Sequence, residues 1–346
     1  MWNHARRGRA FPFRVPASLS ILLVFGISTP SFAGEGKWSF EFGAMYMDAY
    51  GHDQHVLTIH EVDLDPTPRT DRKTAINLDT DADIAYRTAF QYTPGKWGLG
   101  ADFLLFLTAQ SAPNLTAAAD GPSGPIGEVA FEVSDRRFTS SGPGETLFYG
   151  VLEDTDLEAW TLDLYGVRTL AETPESEIQL LFGVRFGDFD NDYHGVVGVQ
   201  DVGGTLLDAS SNYGRMTGPL LGLVGHIRHG RGSIQGSLSQ SVLLGTAQLT
   251  SMSREFTGPF SPTTSFFAQE SFEKKEQDVA IPITELRIKL DYSLSEVLSF
   301  GAGVHASAWW DVPVPPGITP TEGGDESFHE DTIVFFGLMG SVKLTF

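Results

Sequence analysis

Glu285-Leu286-Arg287-Ile288-Lys289-Leu290-Asp291-Tyr292 alternates a charged with an apolar or aromatic residue at every step. In an extended strand successive side chains point to opposite faces, so the four charges share one face and Leu286, Ile288, Leu290 and Tyr292 share the other. A helix would scatter both sets around its axis. After Ser293-Leu294-Ser295-Glu296, a second run sets Leu298, Phe300, Ala302 and Val304 against Ser299, Gly301, Gly303 and His305. Two alternating runs joined by a short polar segment predict a β-hairpin with one apolar and one polar face.

The same unit recurs along the chain. Trp38 to Tyr46 opens it, with aromatic or apolar even positions. A second run places Ile76, Leu78, Ala82, Ile84, Tyr86, Phe90 and Tyr92 outward, against Asn77, Asp79, Asp81, Asp83, Arg87 and Gln91. Thr93-Pro94-Gly95-Lys96 joins it to a third strand whose outer face is Trp97, Leu99, Ala101, Phe103, Leu105 and Leu107. A fourth strand over about 156–170 turns at 172–176 into a fifth, with Ile178, Leu180, Phe182, Val184 and Phe186 outward and Gln179, Gly183 and Arg185 inward. On the fourth, Arg168 shares the face of Trp160, Leu162 and Leu164 and must snorkel to an interface. A sixth over about 216–228 turns at His229-Gly230-Arg231-Gly232 into a seventh, whose inner face reads Ser233, Gln235, Ser237, Ser239 and Ser241. The last strand shows Val334, Phe336, Leu338, Val342, Leu344 and Phe346 on one face.

Connections of four or five residues alternate with ones of roughly 18 to 45, the asymmetry of transmembrane barrels with tight periplasmic turns and long outer loops. The expectation is an all-β, antiparallel up-and-down transmembrane barrel of about 10 strands. Eight to twelve are compatible, because Glu128 to Val133, inside a long connection, also alternates. Trp38, Tyr92, Trp97 and Tyr292 gather at one end and Tyr46, Tyr50, Trp309 and Trp310 at the other, as two aromatic girdles do.

Residues 1–33 carry the three parts of a secretory signal: Arg6, Arg7, Arg9 and Arg14, an apolar stretch around Leu19 to Ile27, and small residues at Ser31-Phe32-Ala33. Cleavage near Ala33 leaves a barrel of residues 34–346. It removes four Arg and no acid, leaving 19 basic and 44 acidic residues, a formal charge of −25. That balance argues against a nucleic-acid partner, whose phosphates need a Lys/Arg face. Without cysteine there is no disulfide framework, thiolate metal site or cysteine nucleophile. No later stretch of 18 apolar residues suggests a spanning helix, so a membrane-embedded chain must close its sheet.

Val342-Lys343-Leu344-Thr345-Phe346 resembles the closing strand of Gram-negative outer-membrane proteins. The resemblance implies recognition of the strand ending at Phe346 by the barrel-assembly machinery, residence in the outer membrane, and lipid and lipopolysaccharide as surroundings. Asp156-Leu157-Glu158-Ala159, Leu181 to Phe186 and Gly218 to Leu223, with the serine-rich strand and Leu243-Leu244-Gly245, resemble the Legionella-type pore-forming major outer-membrane protein family. This implies a pore or a bulk surface protein without enzyme chemistry.

Asp79, Asp81 and Asp83 fall about 7 Å apart on one face, continued by Arg87. Together with Arg185, Glu285, Arg287, Lys289 and Lys343 they are the pore-lining candidates. Carboxylates along an open pore favour cations; alternatively they pair with those cations and fill the interior. Asp79-x-Asp81-x-Asp83 is not a calcium loop, since Ile84 and Phe90 stand where glycine and glutamate are needed. His52, His55 and His60 with Asp53, Glu61 and Asp63 match no defined metal spacing, so no metal or cofactor is expected. Asp190-Asn191-Asp192-Tyr193-His194 resembles the aspartate–histidine pair of the omptin surface proteases, themselves ten-stranded barrels, which would make Asp192 and His194 catalytic. No second acidic pair is found in the early loops. The leading expectation is a passive, non-enzymatic channel for small hydrophilic solutes or ions; a closed barrel acting through its acidic loops is second, and a surface protease third.

Overall fold

The computed structural model describes residues 36–50, 54–62, 71–78, 83–111, 115–120, 129–133, 136–140, 146–199, 203–257, 266–314 and 329–346. The expected signal peptide and Asp79 and Asp81 lie outside these residues, and the side chains of His52, His55 and His60 are likewise not described. Ten antiparallel strands close on themselves: β1 (Lys37–Tyr50), β2 (Asp83–Thr93), β3 (Trp97–Ser111), β4 (Thr146–Glu172), β5 (Ser176–Val199), β6 in two pieces (Gly203–Asn212 and Met216–His229), β7 (Gly232–Thr257), β8 (Phe266–Ser293), β9 (Leu298–Val314) and β10 (His329–Thr345). Each pairs with its sequence neighbours, and β10 closes onto β1 with Phe42 opposite Val342.

The register fixes the barrel's shape. Followed across each strand in turn, the row Trp38, Tyr92, Leu99, Gly166, Phe182, Leu221, Gln240, Thr284, Ala308 and Val334 returns to β1 at Tyr50, twelve residues beyond its start. A ten-stranded barrel with that stagger tilts its strands by roughly 40°. At about 3.3 Å per residue, Trp38, Tyr92, Trp97 and Tyr292 then fall within roughly 3 Å of one level, and Tyr50 and Trp310 lie about 28 Å above it. Between them Phe182, Val184, Leu221, Leu223, Leu286, Ile288, Leu290 and Leu338 stand exposed on the outer surface. An apolar band of that height bounded by aromatics matches a bilayer's hydrocarbon layer. Arg168 sits at the lower girdle, its guanidinium 5.2 Å from the Trp97 ring centre, so the outward cation rests on an aromatic face.

The turn-end hairpins use glycine where the backbone requires it: Gly95 and Gly230 have φ of +82° and +59°. At the other end several expected long loops are strand. β5 and β6 run on as a hairpin joined only by residues 200–202, and β7 and β8 are joined by 258–265. With β4 they form a wall of strands up to 28 residues long, where a tilted crossing needs about 9–11. Loop-like composition misled here, because Gly, Ser and Asp populate strands that pair only with each other above the band.

Two stretches pair outside the barrel wall. Asp71–Leu78, expected as the start of the second strand, pairs with Gln54–Val62 as a separate hairpin, and the described part of β2 begins at Asp83. Of the row Asp79, Asp81, Asp83 and Arg87, only Asp83 and Arg87 fall among the described residues, both on the inward face of β2. Val129–Val133 pairs with Arg136–Ser140 as its own small hairpin, which leaves the barrel at ten strands.

Candidate functional site

Alternation carries Glu41, Arg87, Asp102, Asp163, Arg185, Glu285, Arg287, Lys289 and Asp291 into the lumen, between outward neighbours such as Phe40, Phe42, Ala101, Phe103, Leu162 and Leu164. They meet as a chain of alternating sign. Lys289 Nζ lies 3.2 Å from Asp291 and 2.6 Å from Glu41, and Arg87 donates to Glu41 at 2.9 Å and, through two nitrogens, to Asp102. Arg287 reaches across the barrel from β8 to Asp102 at 2.5 Å and also pairs with Glu285. Arg185 completes the chain with a bidentate pair to Asp163 at 2.6 and 2.7 Å, Glu285 at 2.7 Å and the Ser241 hydroxyl at 3.3 Å. Lys343 stands opposite Glu41 on β10.

These bonds tie β1, β2 and β3 to β8, and β8 to β4 and β5, across the interior. Five acids face five bases in this cluster, Lys343 included, so the cluster carries no formal net charge. Arg185 is 1% exposed. Taking such charges out of water is costly, and the pairing offsets it only in part: Arg287 Nε and both ring nitrogens of His305, which lies 3.8 Å from Glu285, are buried without a hydrogen-bond partner among the described residues.

Above the ion pairs the lumen turns apolar. Phe106, Phe335, Trp309 and Phe189, from four different strands, and Tyr213, in the break of β6, touch in sequence at ring separations of 5.4, 5.8, 5.9 and 5.2 Å. Met45, Met47, Met216, Leu243, Ile281, Ile283 and Ile333 pack around them, all buried. The expected placement of Trp309 in the outer girdle is therefore wrong; only Trp310 faces out. The cause is that both faces are apolar at this height, as in Val334-Phe335-Phe336 and Trp309-Trp310. The Tyr213 hydroxyl donates to the Pro313 carbonyl, joining the break in β6 to a bulge in β9 that contains Asp311 at φ +56°. Below the ion pairs, Gln91, Thr169, Glu177, Gln179, Ser233, Gln235 and Ser237 are half-buried around a polar vestibule at the turn end.

The expected pore candidates thus divide. Arg87, Arg185, Glu285, Arg287, Lys289 and Lys343 face the lumen, and among the described residues the acids that meet these cations, besides Glu285, are Glu41, Asp102, Asp163 and Asp291. Asp83 is exposed at the loop-end mouth of the lumen, on the face of buried Ala85. Glu41, Asp102 and Asp163 had been missed, although each is a lone acid at an inward position between apolar outward residues.

Asp192 and His194 stand on the opposite side of the sheet. Asn191 and Phe189 are buried inward, so Asp188, Asp190, Asp192 and His194 project from the outer face of the wall. His194 Nδ1 pairs with Asp208 of β6 rather than with Asp192. Neither residue is brought to Asp83, which faces the lumen. Asp190 lies opposite Glu158 on β4 and Asn212 on β6. Burial, and then the neighbouring carboxylates of Asp188, Glu158 and Asp192, push its carboxyl up to about 7.

A carboxyl with a raised folded-state pKa stabilises the fold fully only below its unfolded pKa, here the ordinary 3.8, and that contribution is lost as pH climbs to about 7. Amide exchange in Asp190–Val199 and Gly203–Asn212, corrected for its intrinsic pH dependence, should therefore be slower at pH 5 than at pH 8. Asp190→Asn should reduce the difference, the remainder coming from Asp188, whose carboxyl is pushed up to about 6 by burial; equal protection at both pH values in the unmodified protein would contradict the burial of these carboxylates.

No protein-family model and no curated protein matches the chain. Among solved structures it is similar to the outer membrane protease OmpT from Escherichia coli, at 14% identity over 92% of this chain and 99% of that one, with a TM-score of 0.46. It is also similar to the transport unit of the autotransporter AIDA-I from Escherichia coli, at 7% identity over 95% and 97%, TM-score 0.21. The toluene transporter TodX of P. putida follows at 9% identity over 91% and 90%, TM-score 0.15. At these identities and scores the likenesses carry no functional argument, and the Legionella-type resemblance rests on its short motifs alone.

Proposed function

We propose that this protein is an outer-membrane barrel whose lumen is closed, and whose working surface is the acidic wall and the connections at its loop end. The observation that carries the reading is the filled cross-section at two heights: the alternating ion-pair chain that runs from Asp291 to Arg185 and Asp163, and above it the aromatic contact from Phe106 to Tyr213. A passive channel needs a hydrated path, whereas this interior spends its inward side chains on each other. The short turns would face the periplasm and the wall would stand outside the cell, carrying Glu158, Asp188, Asp190, Asp192 and Asp208 on its outer face.

The reading keeps one half of what the Legionella-type resemblance implies, a bulk surface protein without enzyme chemistry. It gives Asp192 and His194 no catalytic part, because they lie on the outer side of the sheet. Liposomes loaded with the refolded protein test it directly. They should swell no faster in isotonic small sugars than empty liposomes do; swelling that scales with protein content would return the channel to first place.

A further inference from the structure

The outer face of β7 holds a polar group where the apolar band should be unbroken. Gln240 faces outward between Leu238 and Val242, exposed, beside outward Leu221 of β6 and Leu286 of β8. From the register it lies about 18 Å above the lower girdle and about 10 Å below the upper one, inside the band rather than at its rim. Its side chain belongs to a short hydrogen-bonded chain: the Trp310 indole N–H donates to the Thr284 hydroxyl at 3.3 Å, and that hydroxyl donates to Gln240 Oε1 at 3.1 Å.

The chain satisfies one end of the amide. Among the described residues no acceptor reaches the Nε2 group, and turning the amide over merely exchanges which end is left. In hydrocarbon a polar group without a partner is costly, and there is no water to supply one. Every other amide side chain placed on these strands at band height points into the lumen, as Gln91, Gln179 and Gln235 do.

We propose that a second copy of this chain docks on the β6–β8 face, with the two Gln240 amides bonded to each other across a two-fold axis along the membrane normal. The chemistry fits a copy of itself. Each amide offers two N–H donors and an oxygen with one lone pair still free, so two related by a two-fold axis are donor and acceptor to one another. The surroundings suit close approach: Gly225 and Gly236 are direct cross-strand partners lower on the same two strands, and a Cβ at either would meet nothing within 4 Å. Leu221, Leu238, Leu244 and Leu286 would ring the amide pair. The proposal rests on the band being the membrane-embedded surface, as in the reading above.

Because the chain has no cysteine, a single introduced one reports its own neighbours. In membranes, mild oxidation of Gln240→Cys should give a covalent dimer, while Leu105→Cys, outward on the opposite side of the barrel, should give none. Sedimentation in detergent should show a dimer whose dissociation constant rises at least tenfold in Gln240→Leu and less in Gln240→Asn, which keeps an amide. Protection of the strands from added protease reads membrane insertion separately, so a failure to insert is not mistaken for a failure to pair. A fully inserted monomer, a dimer indifferent to Gln240→Leu, or cross-linking equal at positions 240 and 105 would each overturn the proposal.

Discussion

Arg185→Met should destabilise the folded barrel by about 3–5 kcal/mol, the usual cost of removing one partner from a buried ionic cluster. The guanidinium stands between Asp163 and Glu285 at 2.6–2.7 Å. Methionine fills part of its volume but leaves Asp163 without its ion-pair partner, while Glu285 keeps Arg287 and the nearby His305 ring. Urea titration of the protein refolded into lipid or detergent measures the loss. Adding Asp163→Asn to the same chain should recover part of it, since the stranded charge is removed; the two effects are coupled through contact and will not add. A loss under about 1 kcal/mol for the single change would mean that water reaches these groups and the lumen is not filled.

The second large effect is on the outside. Ile288 is exposed on β8 at about 11 Å above the lower girdle, close to the middle of the apolar band. Ile288→Arg should therefore cost about 2–4 kcal/mol in a refolding titration into bilayers, as arginine does on the lipid face near the midplane. The same replacement at Tyr292, at the lower girdle, should cost about 0–1 kcal/mol because the guanidinium reaches the interface. Equal effects at both positions would mean that the band is not immersed in lipid.

Strand count, faces and turns were legible because a period of two leaves little freedom: once Leu286 and Ile288 are outward, Glu285 and Arg287 must be inward. What lay beyond reach depended on pairing across the lumen. Nothing local tells Arg87 to choose Glu41 and Asp102, because those partners arrive from the neighbouring strands β1 and β3. Height above the membrane was the second blind spot. The stretch from Asp188 to Asn212 has the Gly, Ser and Asp content of a loop, and becomes strand because β4, β5, β6 and β7 supply each other's hydrogen bonds. The aromatic closure was hidden for a related reason, since Phe335 and Trp309 sit in runs that are apolar on both faces and periodicity cannot say which face matters.

The central claim is that nothing passes through this barrel, and the conductance of single molecules inserted in a planar bilayer tests it most directly. The unmodified protein, with insertion verified independently, should give a flat baseline under applied voltage, interrupted by no steps of uniform size. Regular steps that recur with each insertion, and whose size changes in Arg185→Met, would place an open aqueous path beside that residue and contradict the closed lumen.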